Sequence, residues 1–214
     1  MNLPNKITIS RIIAIFVMIV AMIVLNFALP NDLGTIGNSS VNIVYLCFAI
    51  FFILAAATDC LDGQIARRCN LVTDFGKFLD PIADKLLNDS MMIFILIPQA
   101  YALGQRRDPA MITILAVCVI LMIARDLVVD GIRLVAASKK QVIAANIFGK
   151  IKTVLQMVAI PMLLLNDWPF SYFDSSWPQA LQISNIFFYL ATIASLLSGV
   201  IYCIQNKNVF KEVK

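Results

Sequence analysis

The sequence predicts an all-α integral membrane protein of six transmembrane helices with both termini in the cytoplasm, on three observations. First, the 214 residues are 60% hydrophobic and 14% charged, with a mean hydropathy of +0.85, too little charge for a soluble domain of this length. Second, six long apolar runs, at about 7–29, 42–66, 76–98, 109–137, 144–166 and 181–205, match the roughly 20 residues that a membrane span needs. Backbone groups in lipid must be satisfied within their own segment, and continuous runs of this kind fit helices, whereas a β-barrel would show short alternating segments. Third, the basic residues fall on one side of such a chain. With six spans, Lys6, Arg11, Arg67, Arg68, Lys77, Lys85, Arg133, Lys139, Lys140, Lys150, Lys152, Lys207, Lys211 and Lys214 share one face, against Arg106 and Arg107 on the other and Arg125 inside span four. That asymmetry places the richer side, and both termini, in the cytoplasm.

The elements follow in order. The first run comes after only Lys6 and Arg11, is too long for a signal-peptide core and meets no A-x-A-like site, so it reads as a retained helix. The turn-rich stretch PNDLGTIGNSS, in the loop near 30–41, then faces outward. Spans two and three are joined by the short link CNLVT, which makes them antiparallel neighbours. Spans four and five carry cations at their cytoplasmic ends. The stretch NDWPFSYFDSSWP before span six is again turn-rich, and its Trp and Tyr residues suit a membrane interface. The spans nearly exhaust the chain, so residues 1–214 are expected to form one transmembrane catalytic domain. Cys47, Cys60, Cys69, Cys118 and Cys203 show neither zinc nor disulfide spacing and read as packing thiols.

Residues 59–85, DCLDGQIARRCNLVTDFGKFLDPIADK, put five aspartates between two apolar segments, where charge is expensive. Asp59 and Asp62 are three apart on one helix face, which Ala66 extends; Asp80 and Asp84 are four apart on another, with Gly76 in line one turn earlier. If the two helices face each other, four carboxylates converge. They could pair with Arg67, Arg68, Lys77 and Lys85 at a solvated junction, or they could surround hard divalent cations, which favour all-oxygen ligand sets. Two such ions would neutralise the cluster and clamp a phosphate. Gly63 and Gly76 would let a ligand approach the backbone, and Arg67 would reach a phosphate oxygen. Asp74 falls outside both faces and reads as a helix cap or loop residue.

These residues spell D-x2-D-G-x2-A-R-x8-G-x3-D-x3-D: Asp59, Asp62, Gly63, Ala66, Arg67, Gly76, Asp80 and Asp84. The pattern resembles, without a departure, the signature of the CDP-alcohol phosphatidyltransferase family. The resemblance implies that family's six-helix fold and transfer of a phosphatidyl group from a CDP-linked lipid to an alcohol, with loss of CMP. It also implies two divalent ions, Mg²⁺ or Mn²⁺, held by Asp59, Asp62, Asp80 and Asp84, with Asp84 the base that deprotonates the acceptor hydroxyl. The CDP-lipid would contact Asn5, Asp62, Gly63, Ala66, Arg67, Thr73 and Gly76. A chain without histidine cannot use the histidine-dependent, phospholipase-D-like route to similar lipids.

Further cations suggest the acceptor. Arg125 and Arg133 are eight apart, about two helical turns, and Lys150 and Lys152 open span five. They could snorkel to head groups or pair with Asp126 and Asp130, or they could line a pocket for a second phosphate. A phosphorylated acceptor points to glycerol 3-phosphate or an inositol phosphate. The stretches NLPNKITISR, ARDLVVDGIRLVAA and GKIKTVLQM resemble family members that use sn-glycerol 3-phosphate. The resemblance adds Thr8 and Arg11, in a segment near the active site, to Arg125, Arg133, Lys150 and Lys152 as acceptor-phosphate ligands. It implies a homodimer in the plasma membrane among membrane lipids, a cytoplasmic-side active site fed by CDP-diacylglycerol, and no nucleic-acid partner. Inositol phosphate, inositol or serine as acceptor is the alternative within the family. A divalent-cation transporter is the alternative outside it, and it leaves Gly63, Arg67 and Gly76 without a role.

Overall fold

The computed structural model describes residues 3–28, 41, 43–68, 73–97, 108–139 and 147–207, with the helical backbone alone described at 3, 4, 26–28, 59–68, 74 and 77. Among these residues the regular structure is entirely helical: α1 (Leu3–Ala28), α2 (Ile43–Arg68), α3 (Asp74–Ile95), α4 (Pro109–Ser138), α5 (Ile147–Leu164), the short α6 (Ser171–Asp174), a 3₁₀ turn (Gln179–Leu181) and α7 (Ile183–Gln205). Four helices are long and apolar enough to cross a membrane: α1 over Asn5–Leu25, then α4, α5 and α7. In α2 only Ile43–Thr58 is apolar, because Asp59, Asp62, Arg67 and Arg68 occupy its last turns. In α3 Asp80, Asp84, Lys85 and Asp89 interrupt the apolar run. The loop at 30–40, Cys60, Cys69, Arg106, Arg107 and Lys140 fall outside the residues whose side chains are described.

Polarity is distributed as lipid demands. Many exposed positions along the helices are apolar, such as Val17 (63%), Ile120 (63%) and Leu134 (72%), whereas Asn5, Thr8, Arg11, Asn88, Lys152 and Gln156 are buried. A soluble protein would invert this pattern. Together with the four spans, it makes the chain a multi-pass membrane protein.

The chain forms two compact units, Met1–Arg107 with Ile160–Ser175 and Asp108–Ala159 with Ser176–Lys214. In the first, α1 packs on α3 and on α2. Its buried face runs Asn5, Thr8, Arg11, Ile15, Met18, Met22, a spacing of three and four that keeps one helix stripe inward. The opposing stripe of α3 is Gly76, Ala83, Leu87, Met91 and Phe94. Phe48, early in α2, meets Phe94, late in α3, edge-on with ring centroids 5.6 Å apart, so the two helices are antiparallel as the short link requires. Thr73 caps α3 by accepting the Gly76 N–H, and Asp74 is the first residue of the helix, so the cap is the residue before the one expected. A hydroxyl in extended backbone is a strong N-cap, and with Thr73 there Asp74 is left to open the first turn. After α5 the chain turns through left-handed Asn166 and Asp167 (φ 52° and 64°) into an aromatic segment whose Tyr172 and Phe173 are 73% and 78% exposed. Such exposure suits the interface expected of it.

In the second unit α4 packs along α7. Asp108 caps α4 by accepting from Ala110 N, with Pro109 at the first helical position. The stripe Met111, Leu115, Val119, Met122, Val129, Ile132, Ala136 on α4 meets Asn185, Phe188, Thr192, Ser195, Gly199, Tyr202 on α7. Small residues on α7 let the two backbones approach, which supplies packing energy that lipid cannot. The described cysteines, Cys47, Cys118 and Cys203, are free thiols.

Candidate active site

The register of α2 and α3 sets the height of each aspartate's backbone along the helix pair. From the Phe48–Phe94 contact, Asp59 lies eleven residues along α2 and Asp84 ten residues back along α3, roughly 15–17 Å in each case. Asp62 and Asp80 are each fourteen residues away, roughly 21 Å. Asp59 is therefore level with Asp84, and Asp62 with Asp80, at one end of the helix pair.

Neutral donors orient the two α3 carboxylates. Thr8 Oγ1 donates to Asp80 Oδ1 at 3.0 Å, from α1. Asn88 Nδ2, one turn beyond Asp84, donates to Asp84 Oδ1 at 2.9 Å and to the Asp84 carbonyl at 2.9 Å. A hydroxyl and an amide fix rotamers without themselves supplying charge. The oxygen-only donor set fits hard divalent ions. Among the described residues no three potential ligands converge, since the side chains of Asp59 and Asp62, with those of Ala66 and Arg67, lie outside them. The α2 backbone carries these residues and Gly63 to the same end as Asp80 and Asp84.

Three residues expected to contact the CDP-lipid come together beside this end. Thr73 Oγ1 donates to Asn5 Oδ1 at 2.8 Å and accepts from Gly76 N at 3.1 Å. A Cβ on Gly76 would stand 3.0 Å from Asn5 Oδ1 and 3.3 Å from Thr73 Oγ1, so only glycine fits without displacing Asn5. Of the residues expected to hold the acceptor phosphate, Thr8 and Arg11 belong to this first unit. Thr8 is bonded to Asp80, and Arg11 is buried on the same stripe of α1.

The other four lie in the second unit, and the structure brings two of them together. Asp126 is the junction: Arg125 Nη1 bonds its Oδ1 at 2.8 Å, and Lys152 Nζ, from α5, bonds its Oδ2. Pairing with Asp126 was one of the two readings open for these cations. It does not exhaust them, because two cations share one carboxylate. Arg125 Nη2 also donates to Ser198 Oγ on α7. Arg133 stands apart, its Nε donating to Tyr202 Oη at 3.2 Å and its guanidinium 5.6 Å from that ring's centroid, while Lys150 is exposed on α5. Sequence reasoning missed Asn88, Ser198, Gly199 and Tyr202. Asn88 was one step from view, since it extends the Asp80–Asp84 face by four residues. The α7 residues carry no signal of their own.

Apolar spans with polar side chains buried among them mark a membrane-embedded protein, and comparison with known proteins gives its class as a phosphotransferase. The sequence model described as CDP-alcohol phosphatidyltransferase matches residues 1–200, and the chain belongs to that family. It is similar over nearly its whole length to proteins named CDP-diacylglycerol–glycerol-3-phosphate 3-phosphatidyltransferase. The Bacillus subtilis protein is 40% identical over 212 residues, covering 98% of this chain and 97% of the relative. The Mycoplasma genitalium protein is 34% identical over 231 residues (100% and 86%), and the Rickettsia felis protein 33% over 211 residues (98% and 97%).

Proposed function

We propose that the chain transfers a phosphatidyl group from CDP-diacylglycerol to sn-glycerol 3-phosphate, giving phosphatidylglycerol phosphate and CMP. The observation that carries the chemistry is the level pairing of Asp59 with Asp84 and of Asp62 with Asp80 on antiparallel helices. The acceptor follows from the names of the full-length relatives.

Asp59, Asp62, Asp80 and Asp84 hold two divalent ions, Mg²⁺ or Mn²⁺, which when bound neutralise the pyrophosphate and stabilise departing CMP. Asn5, Thr73 and Gly76, with Asp62, Gly63, Ala66 and Arg67, bind the CDP-lipid. Asp84 takes the proton from an acceptor hydroxyl, whose oxygen forms a new bond to the phosphatidyl phosphorus as the P–O bond to CMP breaks. Asn88 holds that carboxylate by its Oδ1. Thr8, Arg11, Arg125, Arg133, Lys150 and Lys152 serve the acceptor's phosphate. The chain works as a single transmembrane domain of six spans in the plasma membrane, as a homodimer, with termini and active site on the cytoplasmic side. The skewed Lys and Arg distribution supports this orientation.

The test is CMP release by purified protein in detergent with CDP-diacylglycerol, Mg²⁺ and a panel of acceptors: glycerol 3-phosphate, inositol phosphate, inositol and serine. Release with glycerol 3-phosphate alone supports the reading. Release with another acceptor and none with glycerol 3-phosphate overturns it.

A further inference from the structure

Arg125 is an expensive residue to place in a span, and the structure shows what holds it. The two α7 positions beneath it are Ser198 and Gly199. A Cβ on Gly199 would stand 2.7 Å from Arg125 Cγ, 3.4 Å from its Nε and 3.6 Å from its Cδ. The aliphatic stem of the arginine therefore lies directly on the α7 backbone, in space that any side chain at 199 would fill. Beyond the stem, Nη2 donates to Ser198 Oγ and Nη1 to Asp126. On the other side is Gly149 of α5, where a Cβ would come within 3.4 Å of Ser198 Oγ and 4.0 Å of Nη2. Gly199 thus seats the arginine stem and Ser198 holds its tip, with Gly149 of α5 beside them.

Charge gives this seat a purpose. The side chains of Arg125, Asp126 and Lys152 are only 13%, 14% and 8% exposed. This trio carries two positive charges and one negative, so its formal excess is one cation in a largely dry setting. Arg125 Nε is buried and, among the described residues, has no hydrogen-bond partner. A structural ion pair would not need a second cation, or a guanidinium fixed at both ends. An anion-binding group needs both, because a fork whose orientation is already set loses less freedom when a phosphate arrives.

Resting on the acceptor assignment above, we propose that Ser198 and Gly199 are positioning residues that hold Arg125 for the phosphate of the acceptor, and so set the preference for a phosphorylated over a neutral alcohol. Neither touches the substrate; both act through Arg125.

The experiment measures KM for glycerol 3-phosphate at saturating CDP-diacylglycerol, and the converse, in Ser198→Ala and Gly199→Ala. Losing the oriented charge-assisted contact should raise KM for glycerol 3-phosphate roughly tenfold or more. KM for CDP-diacylglycerol should not change. In an Arg125→Ala background the same two substitutions should have no further effect, since the residue they act through is gone. Gly131→Ala on α4, where an added Cβ meets nothing within 4 Å, serves as the neutral glycine control. If Gly199→Ala fails to fold, Ser198→Ala carries the test, because it only removes an atom. An unchanged acceptor KM in Ser198→Ala, or equal penalties with and without Arg125, overturns the positioning role while wild-type activity leaves the acceptor reading intact. A wild type inactive on glycerol 3-phosphate overturns the acceptor reading and this inference with it.

Discussion

Thr8 and Asp80 are 72 residues apart in the chain and hydrogen-bonded at 3.0 Å, hydroxyl to carboxylate, across α1 and α3. Thr8 is 2% exposed. The bond ties the first helix, which carries none of the aspartates, to the carboxylate end of the third. Thr8→Val keeps the shape and removes the donor. We expect kcat to fall roughly tenfold, with Thr8→Ser close to wild type. Steady-state CMP release checks this, and equal rates for Val and Ser at position 8 would count against an orienting role.

Asn88 does the same for Asp84 through two bonds from one amide nitrogen. Asn88→Leu preserves volume but leaves Asp84 Oδ1 without that donor. The proposed base then samples rotamers away from the acceptor, so kcat should drop by roughly tenfold or more while both KM values hold. Kinetics with each substrate varied in turn separate this from a binding defect, which would move KM instead.

Gly76 sits where a methyl group would press on Asn5 Oδ1 at 3.0 Å. Gly76→Ala pushes Asn5 back slightly and strains its bond from Thr73. The expected outcome is a KM for CDP-diacylglycerol raised roughly two- to tenfold, with KM for glycerol 3-phosphate unaffected. A change confined to the acceptor KM would place Asn5 and Thr73 with the wrong substrate.

Asp126 neutralises part of a buried pair of cations. Asp126→Ala leaves Lys152, 6% exposed, without its carboxylate, and should lower stability by on the order of 3 kcal/mol. Thermal unfolding in detergent reads the loss. Adding Lys152→Met should recover most of it, because the uncompensated charge goes too; no recovery would mean that Asp126 matters for another reason.

The four aspartates as metal ligands predict that EDTA abolishes CMP release and that Mg²⁺ or Mn²⁺ restores it. They also predict a metal-dependent rise in melting temperature that Asp80→Asn removes. Full activity in Asp80→Asn, or activity in EDTA, would contradict the assignment.

Much of this is legible in the sequence. The apolar runs are lipid solvation written as composition, and the faces of Asp59 with Asp62 and of Asp80 with Asp84 follow from helical periodicity alone. The antiparallel α2–α3 pair follows from a link too short for anything else. Local rules put Asp74 at the α3 start as a cap or loop residue, whereas Thr73 caps the helix and Asp74 opens it, since either side chain can accept from the first turn.

What only the tertiary structure decided are the contacts between helices distant in sequence. That Thr8 serves Asp80, that Asn5 meets Thr73 beside Gly76, and that Arg125 lies on Gly199 with Ser198 and Asp126 at its tip depends on which helix faces pack and at what height. A serine or glycine in an apolar helix has one local meaning, small. Whether it becomes packing or a seat for a guanidinium is set by what the neighbouring helix presents at that level, and periodicity within one segment carries no information about the rotation and register of another.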